Sequence, residues 1–239
     1  MRFSALANVE PFGPFFPGSF NLINEPLSIS VAVEAADEVV NSFQSASNIS
    51  EAREILLSRL ENHAGKITTI LEKLLIGTNI VFKGFDFSVA PFPTDACSLG
   101  NALEILGVPA LGQHGSLAAA SILADTLDRG NWPRVGYNGL MLPLLEDSIL
   151  AQRSIDSTLS VKDLLMFSAV CGTGLDTIPL AGDVPLESIE ALLLDIAALS
   201  SRLRKPLTAR LMPVPGKIVG DMTSFNFDFF ANGRILNLE

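Results

Sequence analysis

Sulfur, imidazole and basic side chains are all scarce in this chain. Among 239 residues there are 2 cysteines, 2 histidines, 1 tryptophan and 1 tyrosine. Cys97 and Cys171 lack CxxC spacing, which excludes a disulfide scaffold. His63 and His114 lack HxxxH spacing, so a zinc site built on histidine is not expected. Lys and Arg number 16 against 26 Asp and Glu, a formal charge of −10 with pI near 4.7. With no basic cluster, nucleic acid and anionic membrane surfaces are poor partners. No run reaches the roughly 18 uncharged apolar residues of a membrane span. Met1–Phe20 is broken by Pro11, Gly13, Pro14, Pro17 and Gly18, unlike the continuous apolar core of a signal peptide. The expectation is a reduced, cytoplasmic protein with no membrane contact.

Apolar residues are plentiful, at 48% against 18% charged. That composition excludes disorder and supplies a full core. No repeat, low-complexity tract or charged linker interrupts it, so residues 1–239 read as one α/β domain. Strands are expected at Phe3–Val9, Leu27–Val33, Phe85–Phe92, Gly139–Leu142, Leu207–Met212 and Arg234–Leu238. A helical face begins after Glu34. Asn48 with Glu51 starts a longer helix that Gly65 bends or splits. Helices follow near Ser98–Leu106, Ser116–Leu127 and Leu145–Arg153. Ser160 with Asp163 forms a capping-box start for a helix running to about Ala169. In Leu186–Leu203 the residues Leu186, Ile189, Leu193, Ile196, Leu199 and Leu203 line one face. Strands alternating with helices imply much parallel pairing, with functional residues in the loops after strands.

Four polar loops stand out: Ala90–Cys97, Gly112–Ser116, Val170–Asp183 and Leu211–Thr223. Each sets glycine or proline beside a reactive side chain. Cys171 reads either as a nucleophilic or redox thiol or as a small buried residue. At a helix C-terminus its activation requires a cation such as Lys205, Arg210 or Lys217. His114, between Gly112 and Gly115, is the better acid–base histidine; His63 falls on an apolar face and reads as a core or interface residue. Glu146 and Asp147 offer one general base, or decorate the first turn of the next helix. Asp176 and Asp183 could converge on a divalent cation or a hydroxylated ligand; turn formation and helix capping are the plainer roles. Gly172, Gly174 and Thr177 share that loop as ligand-binding positions. Arg210, Lys217 and Asp221 border a turn whose backbone N–H groups suit an anion, although Pro215-Gly216-Lys217-Ile218 is not a Walker A loop.

Several long stretches resemble one family: FSALANV at Phe3, FDFSVAPFP at Phe85–Pro93, LGVPALGQHGS at Leu106–Ser116, GLMLPLLED at Gly139–Asp147, VCGTGLDTIPLAGD at Val170–Asp183 and KPLTARLMPVPGK at Lys205–Lys217. They are similar to domain of unknown function 711, often labelled "PFL family protein". The resemblance covers nearly the whole chain and matches the C-terminal part of longer members. It implies a fold like the α/β barrel of pyruvate formate-lyase-type glycyl radical enzymes, here incomplete. It implies no radical: Arg134-Val135-Gly136-Tyr137 lacks the residue that the radical motif inserts and lies mid-chain, and no adjacent Cys–Cys pair exists. It brings no reaction with it.

The combined expectation is a partial α/β barrel with a polar pocket at its strand ends. The pocket takes a small anionic or hydroxylated metabolite. Cys171, His114 and Glu146 are the catalytic candidates. Gly172, Gly174, Asp176, Thr177, Asp183, Arg210, Lys217 and Asp221 are the ligand-binding ones. The alternative is a non-catalytic subunit of a homo-oligomer, or of a complex with a partner supplying the missing N-terminal part, since an incomplete barrel leaves open strand edges.

Overall fold

A computed structural model describes residues 3–9, 13–16, 18–19, 25–171 and 173–238. Part of Met1–Phe20, and the candidate ligand-binding Gly172, lie outside the described residues. Among the described residues five strands and seven α-helices follow in chain order: β1 (Ala5–Ala7), β2 (Ser28–Ala32), α1 (Ala36–Ser45), α2 (Ile49–Leu74), β3 (Val81–Asp86), α3 (Leu99–Ile105), α4 (Ser116–Asp128), α5 (Ser148–Ile155), α6 (Val161–Phe167), β4 (Gly174–Ala181), α7 (Leu186–Leu203) and β5 (Leu207–Val214).

Local signals set most helix ends. Asn48 accepts a hydrogen bond from the Glu51 amide at 3.0 Å and opens α2, which runs unbroken through Gly65. Gly65 faces open space, so no packing demand bends the helix there. Ser160 and Asp163 close a reciprocal capping box on α6, with bonds of 3.3 and 2.9 Å. The bounds of α7 match the expected span, but its buried residues are Leu192, Ile196 and Ser200, whereas Leu186 is 78% exposed. Its apolar stripe is therefore wider than its packed face.

The sheets differ from expectation in one respect that decides the site. Residues 170–183 read as a loop, yet eight of them form β4, buried along its whole length. β4 pairs in parallel with β5, and β5 pairs antiparallel with β1 at the edge. β2 and β3 form a second, parallel pair. The segment between them, residues 134–143, joins the two sheets through isolated parallel bridges: Phe85 with Arg134, Val89 with Leu140, and Pro143 with Asp176. The expected strand at Gly139–Leu142 is reduced to these bridges. Side chains replace its missing ladder bonds. Asp86 accepts from the amides of Tyr137 and Asn138 at 2.8 and 2.9 Å, and Asn138 donates to the carbonyls of Phe85 and Val135.

The spatial order is thus β2, β3, the bridging segment, β4, β5, β1. Among the described residues no pairing joins β1 to β2, so the arrangement is open and mixed α/β and not a closed barrel. α7 packs against β5 and β1, and α6 against β4. Among the described residues no helix is long and apolar enough to cross a membrane.

Candidate functional site

The site is built on a fault in β4. Leu175 opposes Ala209 and Ile178 opposes Leu211, so Asp176 and Thr177 together face the single residue Arg210. This is a bulge in a buried strand, a device that re-aims side chains. Thr177 carries the cost, with φ of +49°, a region that β-branched residues avoid. Its hydroxyl oxygen accepts the Leu145 amide at 3.0 Å, which ties the bulge to the turn Leu144–Glu146. Gly174, at φ +88°, opens the strand where a Cβ would meet the Thr208 carbonyl oxygen at 2.2 Å.

The bulge brings three charges together. Arg210 Nε donates to Asp176 Oδ1, and Nη2 donates to Asp176 Oδ2 at 2.8 Å and to Glu146 Oε1 at 3.0 Å. Asp176 is 0% exposed, while the side chains of Arg210 and Glu146 keep 29% and 26% exposure. Arg210 Nη1 makes no hydrogen bond among the described residues, so one edge of the guanidinium keeps its two N–H groups. Burial opposes the Arg210 charge, but Asp176 and Glu146 outweigh it and hold the guanidinium more firmly protonated. Burial pushes the Glu146 carboxyl up; Arg210 pulls it back, and Asp176 and Glu34 repel it. The carboxyl therefore holds its proton to higher pH than an ordinary glutamate does.

Of the neighbouring acids, Asp147 does something else. It is fully buried and accepts from Ser98 Oγ at 2.6 Å, Gly100 N and Ile149 N at 3.0 Å, and Leu150 N at 3.1 Å. It caps α5 and clamps the start of α3. Asp147 therefore takes up the helix-end role that the sequence offered for one of the two acids.

The other candidates do not join the cluster. Cys171 is buried, and burial pushes its thiol up despite the pull of Lys205. That is the reverse of nucleophile activation. Lys205, one of its expected activators, instead donates to the Ala169 and Cys171 carbonyls just beyond α6. His114 is exposed before α4 and makes no hydrogen bond among the described residues. His63 is no core residue: it is half-exposed and lies 3.0 Å from Glu38.

Asp176 and Asp183 do not converge. β4 runs between them, and at 3.3 Å per residue its last residue, Ala181, is already roughly 16 Å from Asp176. Asp183 is exposed and does not cap α7, whose N-cap is Pro185. It borders a cavity of about 250 Å³ with Ser188, Val219 and Leu236. Lys217 and Asp221 lie in the turns past the end of β5; Asp221 accepts the Ile218 amide at 3.0 Å. Among the described residues, no group of three or more His, Cys, Asp or Glu side chains is placed to hold a metal ion.

Two features of the site escaped the sequence reading. Glu34, two residues past the end of β2 and two before α1, repels Glu146. The aromatic segment Phe225–Phe230 is tied to the turn that carries Glu146 through the next residue, Ala231 N donating to the Leu145 carbonyl at 2.8 Å. The four phenylalanines within six residues were its visible signal.

Comparison with known proteins identifies the family. A family model described as "Uncharacterised ACR (DUF711)" matches residues 1–226. The chain is 32% identical over 231 residues to a UPF0210 protein of Pyrobaculum aerophilum, covering 92% of this chain and 51% of that one. It is 32% identical over 230 residues to a UPF0210 protein of Oenococcus oeni, with the same coverages of 92% and 51%. A UPF0210 protein of Limosilactobacillus reuteri is 30% identical over 223 residues, 89% of this chain and 49% of the relative. The chain spans about half the length of the curated relatives it matches. Since the family model takes in every element of the open sheet, including the Asp176–Arg210 bulge, the chain belongs to the uncharacterised DUF711 family.

Proposed function

We propose that this chain binds a small anionic or hydroxylated metabolite on the open sheet and that Glu146 serves there as the proton-exchanging group. The observation that carries the reading is the Arg210 guanidinium. It is anchored to buried Asp176, shared with Glu146, and keeps Nη1 for an incoming oxygen. Asp176 and Thr177 hold the pair in place, and Gly174 lets β4 lie close to β5. Lys217, Asp183 and Asp221 serve the far end of the strands. Cys171 packs the turn after α6. A reduced cytoplasmic setting suits two free thiols.

The pyruvate formate-lyase-like reading is supported by the parallel order of five segments ending in an antiparallel edge. In that reading the chain corresponds to the C-terminal part of its relatives, and their remaining half supplies further strands. The test is a thermal-melt titration with D-glycerate and inorganic phosphate, comparing wild type with Arg210→Lys. A saturating rise in melting temperature with D-glycerate, weakened in the variant, supports the site. The absence of any rise with either probe overturns it.

A second reading, a structural subunit, is supported by exposed apolar side chains on and beside the edge strands β1 and β2, including Phe3, Leu6 and Leu27. A discrete oligomer by native mass spectrometry, with no thermal response to either probe, would favour it.

A further inference from the structure

We infer that the loop 223–233, with Phe92, forms the apolar wall of the Arg210–Glu146 site, and that its ligand is a small carboxylate bearing a planar aromatic ring. The inference rests on the site proposed above and adds the ligand class.

The loop is closed by its own polar atoms. Thr223 N donates to the Gly233 carbonyl at 2.8 Å, Gly233 N donates to Thr223 Oγ1 at 3.0 Å, and Phe225 N donates to Asn232 Oδ1 at 2.8 Å. Phe230 is buried and anchors the loop, meeting Phe225 and Phe227 edge-to-face with ring centroids 5.5 and 5.2 Å away. Ala231 N donates to the Leu145 carbonyl at 2.8 Å, which fixes the loop to the turn ending in Glu146.

This scaffold holds apolar rings in water. Phe227 is 44% exposed, Phe229 is 55% exposed and Phe92 is 37% exposed. Phe229 meets Phe92 edge-on at 5.5 Å and Phe227 at 5.3 Å, so the three form one contiguous patch. Ordering exposed aromatic rings costs entropy and hydration with no return from the core, which marks a binding surface.

A backbone tie sets the patch beside the charges. Ala231, two residues after Phe229, donates to the Leu145 carbonyl, and Glu146 is the next residue. Pro143 bridges Asp176, which faces Arg210 across the bulge. The loop that carries the aromatic wall is thus bound to the turn whose carboxylate pairs with Arg210. The wall has no hydrogen-bonding groups on its rings, so it suits an aryl ring over a sugar. The free N–H groups of Arg210 Nη1 suit a carboxylate.

The experiment is saturation-transfer NMR on the full chain with benzoate as probe, and with acetate and benzyl alcohol as its two halves. Phe229→Ala and Arg210→Lys are the variants; Phe229 is a surface ring, and an unchanged melting temperature confirms its variant's fold. Benzoate should bind at least about tenfold tighter than either half, and each variant should lose that advantage. Benzoate binding no tighter than acetate, or unaltered by Phe229→Ala, overturns the aromatic wall while leaving anion binding at Arg210 intact. Benzyl alcohol binding as well as benzoate overturns the carboxylate assignment. Self-association that Phe229→Ala abolishes would make the patch a contact between copies and overturn the inference. No binding of benzoate or acetate overturns both the wall and the site beneath it.

Discussion

Replacing Arg210 with Met should leave a buried carboxylate without its partner. Asp176 is 0% exposed and receives two of its hydrogen bonds from Arg210. Removing one member of a buried pair costs about 3–5 kcal/mol. The Arg210 side chain is 29% exposed, so water reaches part of the vacated space and the lower end applies. The expected loss is about 3 kcal/mol at neutral pH, about 6–12 °C in melting temperature for a chain of this size. The deficit should narrow at acid pH, because a neutral acid is cheaper to bury than a carboxylate. The double variant Arg210→Met, Asp176→Leu removes both charges and should recover most of the loss. Urea unfolding at neutral and acid pH, read as midpoint and slope, measures all three effects. A single variant within about 1 kcal/mol of wild type, or a double variant as unstable as the single one, would refute the reasoning.

Asp147→Ala should destabilise by about 4 kcal/mol, since it strands three backbone N–H groups and the Ser98 hydroxyl in the core; urea midpoints check it, and a loss under about 1 kcal/mol would count against the clamp. Glu146, pushed up by burial, keeps its proton in the folded state at pH values where the unfolded chain has released it. Its contribution to stability is therefore present below the ordinary carboxylate range and is lost as pH rises through the folded value. Glu146→Gln cannot titrate, so as pH rises above the ordinary carboxylate range wild type should lose stability relative to the variant; parallel curves would contradict this.

What was legible in the sequence was local. Ser160 and Asp163 close their capping box within one turn, and Asn48 finds Glu51 three residues away. Helix starts are therefore decided by neighbours in the chain. The strand β2 shows in the alternation of LSISVAV because one of its faces packs and the other does not. β4 was not legible: Gly174, Asp176 and Pro179 are loop residues by type, and only burial between β5 and the bridging segments makes them a strand.

The candidate site divides along the same line. The residue types Asp176, Thr177, Glu146 and Arg210 could be picked from the sequence because charged residues in an apolar, glycine-rich context are rare and costly. Their constellation could not be picked. Arg210 lies 34 residues from Asp176 and 64 from Glu146, and no pattern in either segment specifies that distance. The same absence of pattern let Cys171 and Asp183 look equal to them. The sequence by itself determined the helices, their caps and the stock of chemical groups, because these depend on contacts within a few residues. The tertiary structure alone decided which groups meet, because desolvation and pairing are set by register: a two-residue bulge opposite one arginine turns Asp176 inward, while the far end of the same strand leaves Asp183 in water.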